Sequence, residues 1–277
     1  MTDAAIRFRE LHQGPGVFVM PNAWDAGSAR LLTQLGFQAL GTTSAGLAFA
    51  LGLPDAEGRL ERDAALDNLS AIAGATHLPV NGDLEAGYGR SLEEVAATYS
   101  CAVDLGAAGA GIEDATGDRD EPLYCVEEAV ARVQAAREGA DRSGQPFTLT
   151  ARAECFLVGH PDPLRESIRR LQRYREAGAD CLYAPGISNP EDLIALVKEV
   201  DAPVNVLIGG SGPLGAMTVT QLGEIGVRRI SVGAALARTA LGAFLEAAKQ
   251  IAEEGRFTRM ASGVPFAALN AAFRDPV

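Results

Sequence analysis

The sequence predicts an α/β fold of the (β/α)8 barrel type, one domain over residues 1–277 with residues 234–277 as terminal helix and C-terminal extension. Three observations predict it. Eight short apolar strands can be placed along the chain, helical segments lie between them, and 277 residues match the roughly 250 that one such barrel takes.

Val17 to Met20 supply the first strand. The second, Gln38 to Thr42, follows Leu35-Gly36-Phe37, and this pattern of helix, glycine and apolar strand recurs. It appears as Leu105-Gly106-Ala107 before Gly109 to Glu113, as Ala177-Gly178-Ala179 before Cys181 to Ala184, and as Ile225-Gly226-Val227 before Arg229 to Val232. Glycine just past a helix end accommodates the left-handed C-cap, so each instance reads as a helix-to-strand turn. Strands three, five and seven enter through Leu78-Pro79-Val80, Gln145-Pro146-Phe147 and Ala202-Pro203-Val204, where a missing N–H is harmless. Nearly continuous apolar strands suit a parallel sheet buried on both faces. Ser91 to Leu105, Val126 to Arg137, Asp162 to Ala177 and Ala234 to Glu254 have helical composition, and Pro265 to Phe273 is a further helix-like stretch that could pack against a partner subunit. Eight strands alternating with helices fit a closed barrel better than an open sheet.

Composition narrows the function. With 47% hydrophobic and 22% charged residues the chain reads as soluble and folded. A formal net charge of -12 without a Lys/Arg cluster argues against nucleic acid and anionic membranes as partners. An acidic protein can still hold an acidic metabolite where a metal ion or a placed arginine supplies positive charge. Cys101, Cys125, Cys155 and Cys181 are widely spaced and read as reduced cysteines in or near the core. Met1 to Glu10 is charged and lacks an apolar run, so a cytoplasmic location is expected.

Catalytic groups of such barrels gather where strands end. Strand two runs into Thr42-Thr43-Ser44-Ala45-Gly46, strand three ends Asn81-Gly82-Asp83-Leu84-Glu85, strand four Ile112-Glu113-Asp114, and strand five Ala151-Arg152-Ala153-Glu154. Asp83, Glu85 and Glu113 would repel one another unless protons or a cation intervened, and Mg²⁺ or Mn²⁺ suits their oxygens. Taken singly, each could instead cap a helix or pair with a basic residue. Arg152, on a buried strand, needs an anionic partner: Glu154, Glu113 or a substrate carboxylate held in its bidentate fork. Ser44-Ala45-Gly46 offers backbone N–H groups to a carboxylate. Asp55 alone reads as a turn or cap residue. His12, His77 and His160 miss the first four strand ends, which disfavours a histidine zinc site or a serine triad. Gly209-Gly210-Ser211-Gly212 follows strand seven, a place where barrels bind phosphate.

Asp83-Leu84-Glu85-Ala86-Gly87-Tyr88-Gly89, then Gly111-Ile112-Glu113-Asp114 and Ala151-Arg152-Ala153-Glu154, resembles the isocitrate lyase/phosphoenolpyruvate mutase superfamily in order and spacing, over a stretch from Met20-Pro21-Asn22-Ala23-Trp24-Asp25 to about Val232. The resemblance implies a homodimer or homotetramer whose barrels exchange their last helix. It implies Mg²⁺ at Asp83, Glu85 and Glu113, Arg152 and the Ser44, Ala45, Gly46 loop on the substrate, and Asp55 near the reacting carbon. Two departures shape the expected activity. Ala115 to Pro122 stands where isocitrate and methylisocitrate lyases carry a Lys-Lys-Cys-Gly-His loop, and Tyr183-Ala184-Pro185-Gly186 lacks the His or Glu that better-known members place after strand six. The expectation is a Mg²⁺-dependent lyase, methylisocitrate lyase-like or oxaloacetate decarboxylase-like, cleaving a C–C bond of a small 2-hydroxy or 2-oxo di- or tricarboxylic acid through a metal-stabilised enolate. The alternatives are a P–C bond mutase or hydrolase of the same superfamily, a 2-oxo acid binding protein without turnover, and a phosphate-binding barrel.

Overall fold

The computed structural model describes residues 2–274. Its strands are β1 Phe18–Met20, β2 Leu40–Gly41, β3 Val80–Asp83, β4 Gly109–Glu113, β5 Thr148–Arg152, β6 Cys181–Tyr183, β7 Val204–Leu207 and β8 Arg229–Ser231. All pair in parallel, in the order β1-β8-β7-β6-β5-β4-β3-β2. The two ends of that order meet at a parallel bridge between Asn22 and Gly41, where Gly41 N–H donates to the Pro21 carbonyl at 2.9 Å and Ala23 N–H to the Gly41 carbonyl at 2.8 Å. The predicted barrel is thus the fold, with this bridge as its seam.

The four helix-to-strand glycines behave as their sequence context predicts: Gly36, Gly106, Gly178 and Gly226 have φ of 83°, 97°, 107° and 103°, a region where a side chain would be strained. β2 is shorter than Gln38 to Thr42. Gln38 is exposed before it, and past it the Thr42 carbonyl accepts from the Asn22 side chain at 2.7 Å.

The helices are α1 Thr2–Gln13, α2 Ala26–Gln34, α3 Ser44–Ala50, α4 Arg62–Ala73, α5 Leu92–Asp104, α6 Val126–Asp141, α7 Pro163–Glu176, α8 Pro190–Glu199, α9 Gly212–Gly215, α10 Val219–Ile225, α11 Ala235–Glu254 and α12 Phe266–Arg274. Ser91 begins α5 through a reciprocal capping box with Glu94. α6 runs past the expected Arg137, whose guanidinium reaches Asp141 at 2.6 Å one turn on and Asp180 at 3.1 Å. Charges masked α1 in the sequence. It seals the end of the barrel opposite the strand C-termini, with buried Phe8 edge-on to His12 and Phe18 at 4.6 and 6.4 Å between ring centroids.

Beyond the barrel, α12 lies on α2, where Gln34 Nε2 donates to the Ala272 carbonyl at 2.6 Å and the Arg30 guanidinium stands over the Phe273 ring. α11 buries little except Ala237 and leaves Phe244 66% exposed. Cys155 and Cys181 are buried and Cys101 half-buried, but Cys125 is exposed, because it caps α6 at the end of a surface loop rather than joining the core. Among the described residues no helix is long and apolar enough to cross a membrane.

Candidate functional site

Strand register sets the site. Asp83 and Glu113 end β3 and β4, Arg152 ends β5, and Glu113 lies directly beside Arg152 in the ladder. Alternation then turns their side chains to the same side at the barrel mouth. Glu85 arrives differently. It takes the left-handed conformation, φ 46°, as does Tyr88 at 54°, an uncommon backbone for residues with a Cβ. This turn lets the Glu85 carbonyl accept Glu113 N–H at 3.0 Å. It also demands glycine at 89, where a Cβ would stand 2.6 Å from the Val95 nitrogen.

The sequence left open whether Arg152 pairs with Glu154, Glu113 or substrate. In the structure it pairs with both acids and with Asp83: Nη1 lies 3.0 Å from Asp83 Oδ1 and 3.0 Å from Glu113 Oε2, and Nε donates to Glu154 Oε1 at 2.9 Å. Nη2 stays outside these contacts, and the guanidinium carbon sits 5.2 Å from the centre of the Tyr183 ring. Arg152 stands between Asp83 and Glu113, and no three His, Cys, Asp or Glu side chains among the described residues form a ready-made ligand cluster.

One guanidinium cannot neutralise this many acids. Burial first, then Asp83 and Asp55, push the Glu85 carboxyl up to about 7. Burial also lifts Glu113 and Glu154 above the ordinary carboxylate range, against the pull of Arg152. Behind them, buried Asp114 accepts Glu154 N–H at 2.8 Å, the Tyr174 hydroxyl at 2.6 Å and Arg170 Nη1 at 2.9 Å.

Ser44-Ala45-Gly46 is not a loop but the first turn of α3. Thr43 caps it, taking Gly46 N–H at 3.2 Å, while Ser44 N–H and Oγ each donate to Asp83 Oδ2 at 2.9 Å. The expected loop is therefore corrected to a helix turn: the N–H groups of Ser44 and Gly46 are bonded inside the protein, and Ala45 borders the cleft with its N–H outside these bonds. Ser44 instead fixes Asp83. Asp55 stands on an exposed loop at the mouth, where partial desolvation and Asp83 hold its carboxyl above the usual range.

Two chambers meet at Asp55 and Arg152. One, about 470 Å³, is walled by Glu85, Glu113 and Glu154 and roofed by Ala115 to Arg119. That roof is ordered: Ala115 bridges Leu123, the Thr116 hydroxyl donates to the Glu121 carbonyl at 2.5 Å, and Arg119 reaches Glu57 at 3.5 Å. The other, about 540 Å³, lies over the centre of the barrel mouth, bordered from β1 round to β8 by Met20, Thr42, Asp83, Gly111, Arg152, Tyr183, Asn205 and Ser231 and by Arg238 of α11, with Arg229 in its floor. Gly209 to Gly212 borders neither chamber, which removes the support for a phosphate loop at this site.

Sequence reading missed Arg229 and Arg238. Arg229 is 2% exposed. Its Nε donates to Asn205 Oδ1 at 2.9 Å, Nη2 to Thr150 Oγ1 at 3.0 Å, and Nη1 lies 3.2 Å from His12 Nε2. His12 Nδ1, 2.8 Å from the Phe8 carbonyl, is the protonated nitrogen. The available signal was a charge inside an apolar strand, Val227-Arg228-Arg229-Ile230.

The model of the phosphoenolpyruvate phosphomutase family matches residues 8–252, so the chain belongs to that family, within the isocitrate lyase/phosphoenolpyruvate mutase superfamily. It is 32% identical to an uncharacterised protein of Mycobacterium tuberculosis over 97% of this chain and 96% of that one. It is 31% identical to the 2-methylisocitrate lyase of Escherichia coli over 69% and 65%, and 31% identical to an oxaloacetate decarboxylase of Bradyrhizobium diazoefficiens over 74% and 70%. Among solved structures, a candidate lyase/mutase of Burkholderia cenocepacia superposes with a TM-score of 0.93 at 48% identity, covering 99% of this chain and 97% of that one. A 2,3-dimethylmalate lyase of the same superfamily superposes at 0.86 with 26% identity, covering 97% and 94%. Members of this superfamily are lyases and mutases acting on C–C or P–C bonds.

Proposed function

We propose that this protein is a carbon–carbon lyase for a small 2-hydroxy or 2-oxo carboxylic acid, dependent on Mg²⁺ or Mn²⁺. One observation carries the reading: Asp83, Glu113 and Glu154 converge on the single guanidinium of Arg152, with Glu85 and Asp55 beside them. The surplus of crowded, hard carboxylate oxygens fits a divalent cation. Asp83, Glu85 and Glu113 would hold it. When bound it supplies Lewis-acid stabilisation of the negative charge that develops on the substrate's 2-oxygen.

The chain's own residues do the rest. Arg152, through the face of its fork that includes Nη2, takes the substrate carboxylate, and Ala45 N–H adds a neutral donor. Ser44 holds Asp83 in one orientation. Asp55, which borders the same cleft as Asp83 at the mouth, is placed to exchange a proton with the carbon from which the bond breaks. The folded segment Ala115 to Pro122 keeps water from the acidic chamber. Relatives named as lyases and decarboxylases of such acids support the C–C reading, and a carboxyvinyl-carboxyphosphonate phosphorylmutase and a phosphonopyruvate hydrolase, 29% and 28% identical, support P–C chemistry as the second reading.

The exposed apolar face of α11, with Leu241, Phe244 and Leu245, supports a homodimer or homotetramer, and light scattering of the purified protein tests it; the mass of one chain would refute it. The activity test is a turnover screen with and without Mg²⁺ against methylisocitrate, isocitrate, oxaloacetate and phosphonopyruvate, using Asp83→Ala as control. A Mg²⁺-dependent C–C cleavage product that disappears in the variant is the expected result. Cleavage confined to phosphonopyruvate, or full activity in the variant, would overturn the reading.

A further inference from the structure

The segment that carries Glu85 is a turn the chain does not adopt freely. Three of its residues have left-handed backbone, Glu85 at φ 46°, Gly87 at 86° and Tyr88 at 54°. Two of those carry a Cβ, so the surrounding fold must hold the turn in place. From β4, Glu113 N–H donates to the Glu85 carbonyl at 3.0 Å. From α6, Arg132 Nη2 donates to the Ala86 carbonyl at 2.7 Å and to the Gly89 carbonyl at 2.8 Å, bracketing Gly87 and Tyr88.

Arg132 is 3% exposed, and its partners are those two carbonyls and the Tyr124 ring, whose centre lies 4.5 Å from the guanidinium carbon, rather than a carboxylate. A buried cation held by neutral groups is costly, and an apolar side chain of similar length would fill the space at less cost. What the guanidinium adds is direction. One rigid fork gives charge-assisted bonds to two carbonyls while its face stacks on an aromatic ring. Tyr124 in turn is the root of the roof over the acidic chamber. Its N–H donates to the Asp114 carbonyl at 3.0 Å, next to the bridge between Ala115 and Leu123, and its carbonyl accepts Arg170 Nη1 at 2.9 Å. The helix that carries Arg132 is fixed as well. At Gly139, two turns on along the same face, a Cβ would run into the Ala96 carbonyl of α5.

We propose that Arg132 is a positioning residue for the divalent-cation site. It locks the Glu85 turn and the root of the roof, a segment that begins directly after Glu113, into one unit, and so sets the affinity for the metal without touching it. This rests on the reading of Asp83, Glu85 and Glu113 as cation ligands given above. Its sign is opposite to that of simple electrostatics. Deleting a positive charge behind a cation site would by charge alone tighten cation binding, whereas deleting the brace that aims a ligand weakens it.

Binding of Mn²⁺ alone to the purified protein, followed by calorimetry or by electron paramagnetic resonance of the free ion, tests it. Arg132→Met should weaken Mn²⁺ binding by roughly 10- to 100-fold, the scale expected when a group that orients a metal ligand is removed. Arg132→Lys keeps the charge without the fork; it should lose about 3- to 10-fold, and it carries the test if the Met variant does not fold. Arg137→Met is the structural control. This arginine of the same helix reaches the Phe147 carbonyl and Asp180, away from the turn, so the variant should lose stability in urea while binding Mn²⁺ within about twofold of the wild type. Affinity unchanged or tighter in a folded Arg132 variant, or an equal loss in Arg137→Met, would overturn the proposal alone. Failure of Mn²⁺ to bind the wild type would instead remove the cation reading, and this proposal with it.

Discussion

The chambers on either side of Arg152 solve the problem of buried charge in opposite ways. On the β3 to β5 side, carboxylates outnumber the cations that face them, and what remains unneutralised must be met by something from outside the chain. On the other side the buried cation Arg229 is held by neutral groups, the Asn205 amide, the Thr150 hydroxyl and the His12 imidazole. The carboxylate side is poised for a cation and the guanidinium side for an anion. A barrel can present both because each strand end contributes separately to one rim.

The sharpest way to break this division is at the shared wall. Arg152→Lys keeps a charge but loses the fork that touches three carboxylates, and kcat/KM on whichever acid the screen identifies should fall on the order of 10²- to 10³-fold. A change of less than about fivefold would mean that the charge alone suffices. Behind the acidic chamber, Asp114→Asn removes one of the two ionic partners of buried Arg170 while keeping the volume, with Glu166 still 2.7 Å from Nε. Urea denaturation should show a loss of about 2 kcal/mol, the scale of a hydrogen bond to a charged group.

Beneath the cationic chamber, His12 sharpens the comparison through pH. Burial, then Arg229, lower its pKa from 6.5 to about 3. Below pH 6.5 the unfolded chain therefore takes up a proton that the folded chain refuses. The contribution of His12 is complete above that pH and is lost as pH falls towards 3. Between pH 7 and pH 5 the wild type should lose about 2 kcal/mol that His12→Gln does not lose, measured by denaturation at both values. The smallest effect belongs to the roof of the acidic chamber. Arg119 is 91% exposed on its side chain, and Arg119→Ala should shift stability by less than about 0.5 kcal/mol in a thermal melt.

The two sides also differ in how legibly they were written in the sequence. Asp83, Glu85, Glu113 and Arg152 stand at the ends of apolar strands, a local pattern, and the structure brings Asp83, Glu113 and Arg152 into contact. The helix-ending glycines 36, 106, 178 and 226 were legible for the same reason, since a left-handed cap depends on one residue. What could not be read is what depends on distant partners. His12 meets Arg229 across 217 positions, and nothing in the charged N-terminal stretch announces that it closes a barrel. The trio at 44 to 46 was misread because a run of small residues suits a loop as well as a helix, and the Thr43 side chain that caps it decides the matter. Arg238 escaped notice because it belongs to a helix rather than a strand end, and only the closed fold turns that helix's first turn towards the cleft.

The seam between β1 and β2 has a dynamic consequence. Asn22 alone gathers three strand ends there: its Nδ2 donates to the Thr42 carbonyl and its Oδ1 accepts Val232 and Gly233 N–H at 3.0 and 2.9 Å. Elsewhere the ring is held by ladders, but here by one bridge and one amide. Local opening should begin at this joint, so that in hydrogen exchange the amides of Gly41 and Ala23 trade with solvent sooner than those of the β4–β5 ladder. The barrel is then a ring with a clasp, and Asn22 is the part that fastens it.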